Sequence, residues 1–158
     1  MVRGVRIPRG AWAIVKEVAR HLLRRPVVGI AAAARTRDGR WLLIRRTDTG
    51  EWALPGGTLE WGETLRDGIR RELREEAGVL SAELGEVSGV YSAPERDARF
   101  HAVTVVILAT VDEPSQPPEN PVEIAEVRLF EESELPTRLA HGMGPMLDNA
   151  RAGRPFWE

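Results

Sequence analysis

Between Gly57 and Val79 the chain carries six acidic residues: Glu60, Glu63, Asp67, Glu72, Glu75 and Glu76. The last three stand in i, i+3 and i+4 relation, so on a helix their carboxylates share one side. With Leu65 set at 0°, a helix puts Ile69 near ~40° and Leu73 near ~80°, with Glu76 near ~20° and Glu72 near ~340°. Two carboxylates therefore lie beside the apolar stripe, while Arg70 and Arg74 take the outer face. Clustered carboxylates repel one another, and burying an unpaired charge is costly. Something positive must neutralise them. Arg71 can pair with one glutamate, Glu63 being a candidate partner, but three exceed what it is expected to serve. Oxygen ligands without histidine or cysteine suit Mg²⁺ or Mn²⁺ rather than zinc. A helix laced with Glu–Arg pairs and holding no metal is the alternative. The preceding Pro55-Gly56-Gly57 permits a sharp turn and a close backbone approach to a ligand, where a carbonyl could join the carboxylates.

Certain elements must position these residues. Thr64 to Ala77 reads as a helix, closed by Gly78 in the place of a C-terminal glycine. Val27 to Ala34 and Trp41 to Ile44 read as a strand hairpin around Arg37-Asp38-Gly39, with Arg45-Arg46 ending the second strand. Trp52 to Leu54 is a short apolar piece stopped at Pro55. Gly89 to Ser92 reads as a short strand, and Pro94 to Arg99 as a charged loop. Phe100 to Val111 is the strongest strand, apolar on both faces and so buried on both. Glu113 to Pro121 holds four prolines and reads as a loop. Ile124 to Phe130 is a further strand, and Leu139 to Ala150 has helical spacing interrupted near Gly144-Pro145. Mixed strands around a central helix, with a second helix near the end, predict a layered α/β domain with a mixed sheet.

Composition narrows the chemistry. At 158 residues the chain has the length of one domain. It has no cysteine, which excludes disulfides, thiolate metal sites and a cysteine nucleophile, and its three histidines are far apart. Lys16 is the only lysine and sits in a basic segment, which argues against a Schiff base. No run reaches the ~20 apolar residues of a membrane span. Net charge is −2, and a pI near 6.0 argues against a nucleic-acid partner. That charge is uneven: residues 1–25 carry seven basic residues and Glu17, leaving −8 for the rest. Residues 1–25 form an accessory basic amphipathic helix candidate, with residues 26–158 as the main domain. That helix could pack on the domain or on a homodimer partner, lie on a membrane or another anionic partner, or serve as a targeting segment.

The acidic segment resembles the Nudix hydrolase box in every defined position: Gly57, Glu63, Arg71, Glu72, Leu73, Glu75, Glu76, Gly78 and Val79. Trp52 to Gly57 and the preceding hairpin also resemble that family. The resemblance implies an α/β/α sandwich with a mixed sheet. It further implies metal-dependent hydrolysis of a nucleoside diphosphate linked to another group, a small nucleotide substrate and a cytoplasmic setting. Glu72, Glu75, Glu76 and the Gly56 carbonyl would bind Mg²⁺ or Mn²⁺, with Arg71 and Glu63 orienting them. Family members differ in the general base, either a box glutamate or one on a later loop; Glu123 holds the later position, with Glu126 and Glu95 as weaker candidates. The stretch Tyr91 to Arg99, with Pro94 fifteen residues beyond Val79, resembles the ADP-ribose pyrophosphatase subgroup, though Ala93 and Phe100 depart from it. Arg45, Arg46, Arg96, Arg99 and Gly57 are candidate substrate contacts, and Trp52, Trp61 or Tyr91 could stack on a base. The alternatives are a nucleoside triphosphate pyrophosphohydrolase, a nucleotide-sensing module without turnover, and an RNA 5′-end hydrolase.

Overall fold

The computed structural model describes residues 9–23 and 25–158. Helix α1 spans Arg9–Leu23. Strands β1 (Val27–Thr36), β2 (Trp41–Arg46), β3 (Trp52–Ala53) and β4 (Gly56–Thr58) lead into helix α2 (Leu65–Ala77). Strands β5 (Ala82–Tyr91), β6 (Ala102–Val111) and β7 (Ile124–Phe130) follow, then helix α3 (Gly144–Arg151) and strand β8 (Phe156–Trp157). Among the described residues the strands form one mixed sheet with β3-β2-β1-β6-β5-β8 as its path.

Strand β1 organises the sheet. It runs parallel to β6 along its whole length, from Val27 opposite Ala102 to Thr36 opposite Val111. On its other side it divides its partners: Arg35 pairs with Trp41 of β2, while Gly29 to Ala31 pair with β4. Strand β2 turns away to pair with β3 and β7. Alternation along β1 supplies both layers, because successive side chains point to opposite faces. Ile30, Ala32 and Ala34 pack with Ile69, Leu73 and Ala77 of α2. Ala31 and Ala33 pack with Met146, Leu147 and Ala150 of α3. The sheet is thus covered on both faces, an α/β/α sandwich.

Three sequence expectations change. Pro55-Gly56-Gly57 was expected as a turn that stops a strand, but Gly56 opens β4. A side chain at Gly56 would strike Ile30 O and Ala31 of β1, so glycine there permits close strand contact. Strand β5 is ten residues long rather than a short piece at Gly89. Register shifts between Leu84 and Gly89 break its alternation with β6 and hide it from a periodicity reading. The third concerns α1. The expected helix is present, although residues 1–8 and 24 lie outside the described residues. Of its described side chains, Trp12, Ile14, Val15 and Val18 do not pack on the domain, being 57%, 66%, 52% and 51% exposed, while Ala19 is partly buried. Both sheet faces are already covered by α2 and α3. No helix of the described residues is long and apolar enough to cross a membrane.

Candidate active site

The site begins with the caps of α2. Thr64 precedes the helix, and its hydroxyl accepts from Asp67 N at 3.2 Å. Gly78 closes it at φ 64°, a left-handed conformation that suits glycine, with its N–H on Arg74 O. Between these caps Ile69 and Leu73 are fully buried, and Glu72 and Glu76 beside them are only 7% and 8% exposed. Arg70 and Arg74 face outward. The helical angles place these residues correctly.

Arg71 departs from expectation. The sequence predicts one carboxylate partner, and Arg71 serves three. Its guanidinium donates to Glu63 at 2.9 and 3.0 Å, to Glu72 at 2.8 Å and to Glu75 at 3.4 Å. It also donates to Thr58 O at 3.2 Å. Five N–H donors in a planar fork allow this, where a point charge would not. Arg71 thereby ties α2 to Glu63 before the helix and to β4. Its charge holds the Glu63 carboxyl below the usual carboxylate range. Glycine closes the remaining gaps. A side chain at Gly57 would strike the Glu72 carboxylate, and one at Gly68 would come within 2.6 Å of Ile30 Cδ1.

Glu76 lies beyond Arg71's reach. Among the described residues its hydrogen bond comes from Gly56 N–H, at 2.8 Å to Oε2. Burial pushes its pKa up to about 8; the Gly56 amide and Arg46 oppose that, while Glu72 and Glu123 reinforce it. Burial likewise raises Glu72, against the pull of Arg71. Two buried carboxylates thus face a cleft of about 860 Å³ with their charge only partly met. A proton or a cation must complete the neutralisation. Among the described residues no three acidic or imidazole side chains already converge as a ready metal cage. Glu75 is drawn to Arg71 and to Arg74 at 3.4 Å, and does not line the cleft. The oxygen-only donors, the buried excess of negative charge and the adjacent Gly56 backbone suit a hard divalent cation.

The other candidates divide. Arg46, Gly57, Arg96, Arg99 and Glu123 line the cleft, as do Gly56 and Trp61. Arg45 and Trp52 do not. Arg45 pairs with Glu126 at 2.8 Å and stacks over Trp52, whose ring meets Phe130 edge-on at 4.8 Å. Alternation along β2 separates the two arginines: consecutive residues cannot both face the cleft. Tyr91 is fully buried and is unavailable to stack on a base. Glu95 lies outside the cleft, and Glu126 is occupied by Arg45. Arg96 reaches the cleft wall, but its guanidinium is held by Glu158 and lies over Tyr91 at 5.1 Å. Arg46 and Arg99 are anchored by Asp48 and Asp97 respectively, at 2.9 and 2.7 Å.

His141 at the cleft and Glu158 behind its loop are not among the residues the sequence singles out. His141 lines the cleft with a φ of 52°, which is uncommon for a residue other than glycine. Its Nδ1 lies 4.0 Å from Asp97, and burial with Arg99 lowers its pKa, favouring the neutral ring. Glu158 accepts from Ser92 N at 2.9 Å and also from Ala93 N and Arg96, clamping the loop that bears Arg96 and Arg99. Strand β8 delivers it by pairing with β5, with Phe156 stacked on Tyr91 at 5.1 Å. Neither residue belongs to a local pattern, and the Phe156-Trp157 pair was the only available cue.

Residues 23–150 match the family model described as the NUDIX domain. The chain is 40% identical over 78 residues to an ADP-ribose pyrophosphatase of Methanocaldococcus jannaschii, a stretch covering 48% of this chain and 46% of that protein. The chain spans about half the length of the curated relatives it matches. Among solved structures, it resembles an ADP-ribose pyrophosphatase from Streptococcus suis, with a TM-score of 0.68 and 25% identity, covering 85% of this chain and 100% of the other. It also resembles a MutT NUDIX hydrolase from Burkholderia pseudomallei, with a TM-score of 0.64 and 31% identity, covering 80% and 98%.

Proposed function

The chain belongs to the Nudix family, and from that premise we propose that it hydrolyses the pyrophosphate link of a nucleoside diphosphate joined to a second group, with ADP-ribose or a nucleotide sugar as substrate. The observation that carries this reading is the pair of buried, incompletely neutralised carboxylates, Glu72 and Glu76, facing a cleft that also holds Arg46 and Arg99. A cleft of this volume accepts a ligand the size of a nucleotide.

Glu72, Glu76 and the Gly56 backbone, which line the cleft, are the groups that would hold Mg²⁺ or Mn²⁺, while Glu75, turned to Arg71 and Arg74, would join them only by leaving those partners. When bound, the metal would supply charge neutralisation at the phosphate oxygens and a lowered pKa for water. The chain's own residues do the rest. Arg46 and Arg99 offer N–H donors to phosphate oxygens, pre-aimed by Asp48 and Asp97. Arg71 keeps the carboxylates in register. Glu123 lines the cleft on the loop before β7 and accepts the proton of the attacking water. Water oxygen bonds to phosphorus, one P–O bond of the anhydride breaks, and the leaving phosphate departs as an anion. Two phosphomonoesters result, with no covalent enzyme intermediate. The proposed setting is the cytoplasm, and residues 26–158 are the domain proposed to perform the reaction.

A screen with Mg²⁺ or Mn²⁺ against ADP-ribose, nucleotide sugars, dinucleoside polyphosphates and dNTPs tests this reading. AMP plus ribose phosphate from ADP-ribose is the expected result. Inorganic pyrophosphate released from triphosphates, with the diphosphate-linked compounds left intact, would replace the proposed substrate class. Absence of turnover across the panel would reject hydrolysis itself.

Glu158 supplies a second expectation. Because it clamps the loop bearing Arg96 and Arg99, Glu158→Ala should raise KM roughly five- to tenfold while kcat stays within about twofold. An unchanged KM would remove the clamp from substrate binding.

A further inference from the structure

The large apolar side chains described on α1, Trp12, Ile14, Val15 and Val18, are exposed, yet they are strictly ordered. At about 100° per residue, positions 14, 18, 15, 19 and 12 fall in that order across an arc of roughly 160°. They hold Ile14, Val18, Val15, Ala19 and Trp12. Positions 16, 9 and 20 follow at about 40°, 60° and 80° beyond Trp12, and they hold Lys16, Arg9 and Arg20. The helix therefore presents a wide aliphatic face with a tryptophan on the border where the basic face begins. Trp12, Ile14, Val15 and Val18 are each more than half exposed, so this ordering has no partner within the domain.

We propose that α1 docks the protein on an anionic phospholipid surface, the aliphatic arc entering the acyl boundary and the basic arc meeting the phosphate headgroups. Charge complementarity selects this occupant. Residues 1–25 carry seven basic residues and one acid, against −8 for the remainder. An anionic surface attracts the segment and repels the domain, so the helix acts as a tether and leaves the catalytic cleft in solvent. An α1–α1 pair with a second copy would bury the aliphatic arcs but bring two basic faces side by side. Nucleic acid would meet the basic arc and leave Ile14, Val15 and Val18 in water. Only a lipid interface satisfies both arcs, and an indole at their border is the residue suited to that depth.

The test uses the full chain. Co-sedimentation is measured with vesicles of phosphatidylcholine alone and with vesicles containing phosphatidylglycerol, at low and at 0.5 M salt. The expected result is binding to the anionic vesicles at least tenfold tighter than to the neutral ones, weakened by salt. Ile14→Asp with Val18→Asp should lower that binding at least tenfold. Lys16→Glu should weaken binding to anionic vesicles selectively. None of these changes should alter the kcat for hydrolysis of a soluble nucleotide. Equal binding of wild type and the double variant would overturn the proposal, as would no binding to anionic vesicles. A dimer in light scattering that Ile14→Asp dissociates, without vesicle binding, would assign the face to a second copy. Retention on RNA without vesicle binding would likewise overturn it.

Discussion

Glu76→Gln is expected to cut metal-dependent turnover by roughly three orders of magnitude or more, the scale of losing several kcal/mol of charge stabilisation. The fold should survive. A glutamine oxygen can still accept from Gly56 N–H, and the substitution keeps the shape of a side chain that is 8% exposed. The same variant should gain stability without metal, and the sign follows from burial. Glu76 is raised from the ordinary 4.5 to about 8 in the folded chain. Its contribution to stability is full below about pH 4.5 and is lost as pH rises through about 8, because the folded state must then hold a buried charge. The loss is at most roughly 5 kcal/mol. Urea unfolding of the metal-free proteins should therefore show wild type falling between pH 5 and 9, with Glu76→Gln falling less, since the raised Glu72 still contributes a loss of the same sign. Added Mg²⁺ or Mn²⁺ should stabilise wild type at the alkaline end and do far less for the variant. Near-normal turnover, or the same pH dependence in both proteins, would remove Glu76 from the proposed metal site.

Arg71→Ala should damage both fold and activity. It leaves Glu63, Glu72 and Glu75 without their shared guanidinium, and Glu72 is buried. Breaking such a partly buried network by removing one partner should cost about 3 kcal/mol. Loss of the orienting contacts should lower activity by about 10- to 100-fold under metal-saturating conditions. Arg71→Lys keeps the charge but not the fork, and it should recover less than half of the stability lost in Arg71→Ala. Denaturant midpoints and kcat/KM for both variants check this. Full recovery by lysine would show that charge alone matters and would sink the role given to the planar fork.

The chemistry of α2 was legible because it depends on short-range geometry. Thr64 and Gly78 mark its ends, and the 3.6-residue period places Glu72 and Glu76 against Ile69 and Leu73 before any tertiary contact is known. The family resemblance rests on that same segment. The count of Arg71's partners was not legible in this way. Whether one guanidinium can meet Glu63, Glu72 and Glu75 depends on where the chain before Thr64 folds back, and Thr58 of β4 holds that return.

The substrate candidates show the larger gap. Arg45 and Arg46 are adjacent and chemically identical in sequence, yet one pairs with Glu126 and the other enters the cleft. Tyr91 and Trp52 carry the aromatic character expected of a base platform, yet Tyr91 is buried in the core and Trp52 packs, partly buried, against it outside the cleft. Glu158 and His141 come from distant parts of the chain. The sequence by itself determined the helix, its caps, the buried pair of carboxylates and the split of charge between residues 1–25 and the remainder. Tertiary structure decided which arginines face the cleft, which residues clamp its loop, and that Trp12, Ile14, Val15 and Val18 of α1 are left exposed. Capping and helical period act within a few residues, so they are written locally. Facing and coverage depend on strand register and on which layers occupy the two sides of the sheet, and a one-residue change in either moves a side chain to the opposite face.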